Sequence, residues 1–120
     1  DLILAASCTE TLAGYYRGRI GAQARALENQ CHVVQAVTVG AAEWSEAVDV
    51  NVGAAALYGP VDVGFPDDGI VSMGELNRPG WVHGTARLQR AQRVRRSGQV
   101  FNFHDWRHQA VFAEVETVDL

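Results

Sequence analysis

The sequence contains no lysine; all ten of its basic residues are arginines. This absence excludes a Schiff-base lysine or an acid–base lysine supplied by the chain itself. The two cysteines, Cys8 and Cys31, are too few for a disulfide framework, which favours a reducing cytoplasm. No apolar run approaches the ~20 residues that span a bilayer. We therefore expect a cytoplasmic protein with no membrane partner.

Positive charge is also scarce. The net charge of −4 argues against a general nucleic-acid binder, and we expect no nucleic-acid partner. The arginines are nevertheless concentrated in one segment, residues 87–96. Such a cluster is either a phosphate-binding or nucleic-acid-binding patch or the solvated face of an amphipathic helix over residues 88–96. The absence of interleaved aromatic residues and the acidity of the remaining chain favour the solvated face.

A βαβ pattern over residues 2–39 is the clearest feature that is present. Residues 2–6 form a continuous apolar run, typical of a strand buried on both faces of an α/β sheet, and residues 32–39 have the same character apart from Gln35. Between them, residues 7–10 (Ser-Cys-Thr-Glu) have the spacing of a capping box, which predicts that a helix begins there. With 120 residues the chain is long enough for one domain and too short for two.

The predicted helix has two distinct stripes. Its larger apolar residues recur at spacings of three and four and should face the sheet; they are Leu12, Tyr16, Ile20, Ala24 and Leu27. Gly14, Gly18 and Gly21 lie on another stripe. Glycine costs roughly 1 kcal/mol relative to alanine inside a helix, so this stripe predicts the close approach of another backbone. The alternative is a loose, loop-like first turn up to Gly18.

The remaining chain predicts mainly short strands and turns. We expect an irregular acidic loop over residues 40–53, a strand over 54–58, and a hairpin that pairs 70–73 with 81–88. The basic helix follows, then a β-rich run over 100–106 and a last apolar piece over 110–115 before an acidic tail. Because the chain opens directly into a strand that needs cover on both faces, we expect it to form part of a domain.

The turn after the first strand is the predicted site. Ligands of α/β folds bind at the carboxyl edge of the sheet, which makes Ser7, Cys8 and Thr9 the first candidates and Glu10 the next. Cys8 is either a nucleophile, favoured as the thiolate by the helix dipole, or a small filler behind the cap. Cys31, at the start of a buried strand, should belong to the core.

A second constellation is His104-Asp105-Trp106-Arg107-His108. Two imidazoles four residues apart could bind zinc if the stretch were helical. Gly98 and the β-rich run before the stretch argue against a helix, so a surface or interface role is the preferred interpretation. We expect no metal and no cofactor.

Several segments carry a family resemblance in their order. Asp1-Leu2-Ile3-Leu4 is followed by Ser7, by Arg17 to Arg19, and by Arg25-Ala26-Leu27-Glu28-Asn29-Gln30 leading into Val33-Val34. Downstream come Tyr58-Gly59-Pro60, Asp68-Gly69-Ile70, and then Arg95, Gly98, Val100, Asn102 and Asp105. Taken together, the segments resemble the second half of the carbon–nitrogen hydrolase (nitrilase/amidase) superfamily over nearly the whole chain.

The resemblance implies a fold and an assembly. Residues 1–120 would be the C-terminal part of a single carbon–nitrogen hydrolase domain, an α/β fold that forms part of an α-β-β-α four-layer sandwich. The helix over residues 10–29 would pack against a second copy in a homo-oligomer. The substrate of the parent protein would be a small-molecule amide or nitrile.

The resemblance also implies a mechanism that this chain cannot perform alone. Family members use a glutamate base, a charge-stabilising lysine and a cysteine nucleophile that forms a thioester or thioimidate, which water then hydrolyses. All three lie upstream in the family, this chain has no lysine, and Cys8 does not align with the nucleophile. The chain would therefore carry no catalytic residue and be inactive alone, with Ser7, Cys8, Thr9 and Glu10 lining the substrate cavity.

Two alternatives stay open. The chain is a small non-enzymatic interaction module that binds a partner through the basic helix 87–96, or it is a thiol hydrolase that pairs Cys8 with His83 or His104. Arg25 and Glu28, three residues apart on the helix, should form a structural ion pair.

Overall fold

The computed structural model describes residues 1–108; the predicted apolar piece 110–115 and the acidic tail lie outside the described residues. The strands are β1 (Leu2–Ser7), β2 (His32–Val37), β3 (Gly40–Ala41), β4 (Val50–Asn51), β5 (Ala56–Tyr58) and β6 (Ile70–Met73). The helices are α1 (Leu12–Glu28), α2 (Leu88–Ser97) and α3 (Asn102–Asp105), followed by a 3₁₀ turn, Trp106–His108.

The main sheet has the strand order β1-β2-β5-β6. β1 and β2 run parallel and are joined by α1, which confirms the predicted βαβ unit, whereas β5 and β6 pair antiparallel. The class is mixed α/β. The four-layer sandwich stays a prediction.

The N-terminus of α1 lies later than predicted. Thr11 is the N-cap, and its hydroxyl accepts a hydrogen bond from the Gly14 amide at 3.0 Å. The prediction of a capping box at residues 7–10 is therefore wrong. Ser7 still belongs to β1, and the Thr9 hydroxyl instead donates to the Val52 carbonyl at 2.8 Å. The alternative of a loose turn up to Gly18 is wrong as well, because α1 is continuous from Leu12.

The face of α1 that packs on the sheet is also not the predicted one. Tyr15, Ala22 and Ala26 are buried, and the last two share a core cluster with Val33 and Tyr58. The larger apolar stripe is largely exposed, with Ile20 64% exposed. Small residues form the packed face because the helix backbone lies close to the sheet: a Cβ on Gly18 would come within 3.2 Å of the Gln35 side chain.

β1 is the edge strand of the sheet and is poorly covered. Leu2 and Leu4, whose side chains point away from α1 by strand alternation, are 42% and 75% exposed. Ala6 and Ala36 on the same face are exposed as well. Burial on both faces, expected from the apolar run, is therefore not achieved within the described residues.

Two predicted connections differ in the structure. β6 pairs with β5 rather than with residues 81–88, and the latter have no strand structure. They cross the sheet so closely that a Cβ on Gly84 would overlap the Ser72 hydroxyl. Residues 40–53, expected to be an irregular loop, contain the small β3–β4 hairpin.

The basic helix is confirmed as α2, whose Ala91 and Val94 are buried. The side chain of Gln30 holds the segment that follows α2 in place. Its side-chain amide donates to the carbonyls of Val94 and Val100 and to Asp62, and its oxygen accepts from the Phe103 amide. Residues 102–105 are helical, so the expected β-rich run over 100–106 is wrong.

Candidate functional site

The carboxyl ends of β1 and β2 form a shallow recess of about 410 Å³. Ala6, Ala36 and Val37 supply an apolar floor, Cys8 and Thr38 supply polar side chains, and Ser7 completes the lining. The two strands are in register up to Ser7 and Val37, and the Thr38 amide donates to the Ser7 carbonyl at 3.1 Å. The recess therefore lies where parallel α/β sheets place their ligands.

Asn51 of β4 fixes the polar side of the recess. Its side-chain oxygen accepts hydrogen bonds from the Thr38 hydroxyl at 2.7 Å and from the Cys8 thiol at 3.1 Å. Its amide nitrogen donates to the carbonyls of Val48 and Gly40. Because the buried Asn51 amide makes all four hydrogen bonds, it holds the side chains of Cys8 and Thr38 in fixed positions. Fixed polar groups of this kind suit the wall of a preformed binding site.

The four predicted site residues divide into two pairs. Ser7 and Cys8 line the recess, and the Ser7 hydroxyl points towards α1, since a Cβ on Gly18 would lie 3.6 Å from it. Thr9 is tied to residue 52 by two hydrogen bonds, from its hydroxyl and from the Val52 amide to its carbonyl. Glu10 is exposed. The structure thus brings Ser7 and Cys8 together and leaves Thr9 and Glu10 outside the recess.

Thr38 and Asn51 were missed from the sequence. Thr38 had a usable signal, because it lies at the carboxyl end of a predicted strand, as Ser7 does. Asn51 had none, because it is 43 residues from Cys8 and fell in a segment interpreted as an irregular loop.

Cys8 does not have the surroundings of an activated nucleophile. Its thiol donates a hydrogen bond to the Asn51 side-chain oxygen at 3.1 Å, and an amide is not a base that could activate it. The helix dipole is also less close than expected, since α1 begins at Leu12 behind the Thr11 cap. Neither His83 nor His104 is among the described residues that line the recess. A positioned thiol without activation is therefore the better interpretation.

Two expected structural roles are confirmed. Cys31 is 3% exposed, and burial raises the pKa of its thiol. Arg25 and Glu28 form an exposed ion pair at 3.0 Å, which contributes little to stability.

A surface role was preferred for the stretch from His104 to His108 because no helix was expected there. The structure shows a helix at residues 102–105, so that reason is wrong. His104 contacts Asp105 at 3.0 Å. Within residues 1–108, no three histidine, cysteine or carboxylate side chains are grouped in a way that could hold a metal ion.

The basic helix uses two of its arginines inside the fold. Arg95 pairs with Asp1, donates to the Gln30 carbonyl and lies 4.5 Å from the centre of the Phe103 ring. Arg90 donates to the Gly64 carbonyl. Exposed guanidinium groups remain on Arg87, Arg93 and Arg96, so the helix presents a smaller basic surface than its composition indicates.

Among the described residues, none of the helices combines the length and the apolar character that a bilayer crossing requires.

The chain has one informative similarity to curated proteins. It is 36% identical over 106 residues to a Bacillus subtilis (strain 168) protein named "Probable hydrolase YhcX". The match covers 88% of this chain and 21% of the relative, so the chain spans about a fifth of the relative's length. No protein-family model matches the chain, and no solved structure is similar to it. The chain is thus homologous to a segment of a protein named as a hydrolase.

Proposed function

We propose that this chain is the C-terminal portion of a carbon–nitrogen hydrolase domain and forms one wall of its substrate pocket. In the parent protein, a cysteine thiolate attacks the carbon of a small amide or nitrile. An amide expels its protonated amine or ammonia and leaves a thioester, whereas a nitrile takes up a proton and gives a thioimidate, from which water releases ammonia to leave a thioester. Water then hydrolyses the thioester to the acid and regenerates the cysteine. The glutamate, lysine and cysteine of that reaction come from outside these 120 residues, and the chain alone is inactive.

The similarity to the hydrolase-named protein carries this proposal. It extends over 88% of the chain, and at the level of a hydrolase it agrees with the resemblance of the ordered motifs, above all residues 25–30. A small interaction module would not require these segments in this order. Because the chain has no lysine, it cannot hold the complete set of glutamate, lysine and cysteine. We therefore propose that it contributes to the substrate pocket and not to the chemical step.

The open side of the sheet also supports the proposal. β1 presents Leu2, Leu4 and Ala6 on a face that α1 does not cover, and its outer edge lacks a strand partner within residues 1–108. Exposed apolar strands at a sheet edge are prone to aggregation and are usually covered. A second sheet of the same domain would cover this face, and a further strand paired with β1 would cover its edge.

The recess at the end of β1 and β2 is suited to hold the acyl part of a small substrate. Its floor is apolar, and its hydroxyl and thiol groups are fixed by Asn51. Such a wall orients the substrate carbon but supplies no base, since Cys8 is the one ionisable side chain among its described lining residues.

The exposed stripe of α1 suits the homo-oligomer contact. Leu12, Tyr16, Ile20 and Leu27 are 38–64% exposed and lie on one side of the helix. The glycine stripe, predicted to lie close to another backbone, is partly used within the chain, because Gly14 and Gly18 lie against the side chains of Thr9 and Gln35. We therefore place the proposed contact on the larger apolar side chains.

The pocket assignment is tested by filling the recess in the parent hydrolase. Ala36→Trp adds bulk to the floor, and we expect it to lower kcat/KM for short amides or nitriles at least about tenfold, which corresponds to ~1.4 kcal/mol. Ala47→Trp, at an exposed position of the β3–β4 loop, is the matched control and should leave kcat/KM unchanged. Equal activity of the two folded variants would contradict the pocket assignment.

A further inference from the structure

A second cavity lies on the face of the sheet opposite α1, away from the recess. It measures about 280 Å³ and is lined by His32, Phe65, Val71, Thr85, Arg87 and Arg90. Gly84 completes the wall where residues 84–87 cross the sheet before α2. Nothing in the proposed hydrolase function uses this cavity.

His32 is the unusual member of the lining. It is 1% exposed, and its Nδ1 lies 3.2 Å from the Tyr58 carbonyl oxygen. Because that oxygen can only accept, Nδ1 carries the proton and donates it. In the neutral imidazole Nε2 is then an acceptor, and Nε2 is buried without any hydrogen-bond partner. An unpaired buried polar atom costs ~1–3 kcal/mol, so a ligand atom that pairs with it is favoured.

The ring of His32 is held in place. Phe65 contacts it edge-on, with ring centres 5.6 Å apart and an interplanar angle of 62°. Together with the bond to Tyr58, this contact fixes the direction of Nε2. The wall of the cavity therefore holds a buried hydrogen-bond acceptor whose orientation is fixed.

The other polar groups around the cavity are positive. Arg87 and Arg90 both line it, and Arg90 is braced by its bond to the Gly64 carbonyl. The ten-residue helix α2 begins beside them, with Arg87 as its N-cap, no side-chain cap and no acidic residue in its first turn. Helix N-termini and arginine guanidinium groups both favour anions. No carboxylate is among the described residues that line the cavity.

We propose that this cavity binds inorganic phosphate in its monohydrogen form. The phosphate oxygens accept hydrogen bonds from Arg87 and Arg90, and the single P–O–H group donates to Nε2 of His32. Sulfate has the same shape and charge but lacks that hydroxyl at neutral and alkaline pH. The site therefore discriminates phosphate from sulfate through His32.

The test is a pair of anion titrations of the full chain at mildly alkaline pH and constant ionic strength, followed by amide chemical shifts in NMR spectra. We expect saturable shifts of the Thr85 and Arg87 amides with phosphate, and binding of sulfate weaker by about tenfold. Phosphate and sulfate binding with equal affinity, or shifts that never saturate, would overturn the proposal.

Three variants locate the effect. His32→Phe keeps the ring but removes Nε2, and it should bind phosphate as weakly as sulfate. Arg87→Gln should weaken both anions, whereas Arg93→Gln, an exposed arginine of the same helix outside the cavity, should change either affinity by less than about twofold. If His32→Phe fails to fold, the comparison of Arg87→Gln with Arg93→Gln decides, and equal losses in the two variants would refute the site.

Discussion

At the scale of single residues, Gln30 determines how the C-terminal part of the chain is attached. It is fully buried and adopts a positive φ of 45° immediately after α1, where the chain turns into β2. Its side chain links Asp62, the end of α2 and the start of α3. One amide therefore connects segments that are 32 to 73 residues distant in sequence.

We expect Gln30→Leu to lower the free energy of unfolding by ~2–4 kcal/mol, because it leaves several buried groups without partners. Urea denaturation followed by circular dichroism measures the change. Gln89→Leu, at an exposed position of α2, is the matched control and should change stability by less than ~0.5 kcal/mol. Similar midpoints for the two variants would contradict the anchoring role.

Ionisation of Tyr58 should limit the stability of the fold at high pH. Tyr58 is 0% exposed and donates to Gln35 Oε1 at 3.1 Å. Burial raises the pKa of its phenol to about 12, with Tyr15 adding to the rise. The folded protein thus retains a proton that the unfolded chain loses near pH ~10, so the stabilising contribution is complete below that pH and is lost as the pH rises towards about 12.

We expect the last tyrosine to ionise together with unfolding, seen as coincident changes in tyrosinate absorbance and circular dichroism during an alkaline titration. In Tyr58→Phe the tyrosinate signal should be complete at a lower pH. Full ionisation of the wild type with its circular dichroism unchanged would show that Tyr58 is not protected.

The two cysteines should differ sharply in reactivity. Cys8 is exposed and Cys31 is buried, with a raised thiol pKa. We expect iodoacetamide to modify Cys8 alone in the native protein, at a rate no higher than that of a free thiol, and to modify Cys31 after addition of urea. Peptide mass spectrometry measures both rates. A Cys8 that reacts much faster than a free thiol would support the thiol-hydrolase alternative instead.

At the scale of elements, α1 shows why amphipathic patterning can mislead. Its largest apolar residues form the better helical stripe, yet the sheet packs against the face that carries Ala22 and Ala26. Hydrophobicity alone ranks Leu and Ile above Ala and Gly, whereas close packing of a helix on a sheet favours small residues. The spacing predicted the helix correctly and its buried face incorrectly.

Two glycines of α1 test this orientation. A side chain at Gly18 would meet Gln35, whereas Gly21 has open space around its Cβ position. We expect Gly18→Leu to reduce the free energy of unfolding by ~1–3 kcal/mol through overpacking. Gly21→Leu should raise it by up to ~1 kcal/mol through helix propensity. Urea denaturation of both variants measures the difference, and equal destabilisation would contradict the observed face.

The exposed apolar stripe of α1 can be tested as the oligomer contact. Ile20→Asp places a charge on the exposed apolar stripe without disturbing the core, and we expect it to weaken self-association in the parent protein, measured by sedimentation. Unchanged sedimentation of Ile20→Asp would exclude this stripe as the contact.

Elements that have a local sequence pattern were predicted correctly, whereas contacts between distant segments were not. The βαβ unit, β5, β6 and α2 were predicted because each is a local apolar run or helical stripe with a clear turn at its end. The cap was misplaced because Ser7, Thr9 and Thr11 are all hydroxyl residues, and only the contact of Thr9 with residue 52 decides among them. The partner of β6 and the role of Asn51 depend on contacts between distant segments, which no local pattern encodes.

At the scale of the whole molecule, the sheet is covered unevenly. α1 packs over β2 and β5 on one face, and residues 65–90 pack over the other face near His32. β1 has exposed apolar residues and an unpaired outer edge within the described chain. This uneven cover, together with the similarity to a segment of a hydrolase-named protein, underlies the proposal that catalysis requires residues from outside the chain.

Ammonia release from a panel of short amides and nitriles tests that claim most directly, measured for the 120-residue chain alone and for the parent protein that contains it. The account predicts no release by the chain alone and release by the parent, which persists in a parent carrying Cys8→Ala. Turnover by the isolated chain, or loss of the parent's activity on Cys8→Ala with the fold intact, would contradict it.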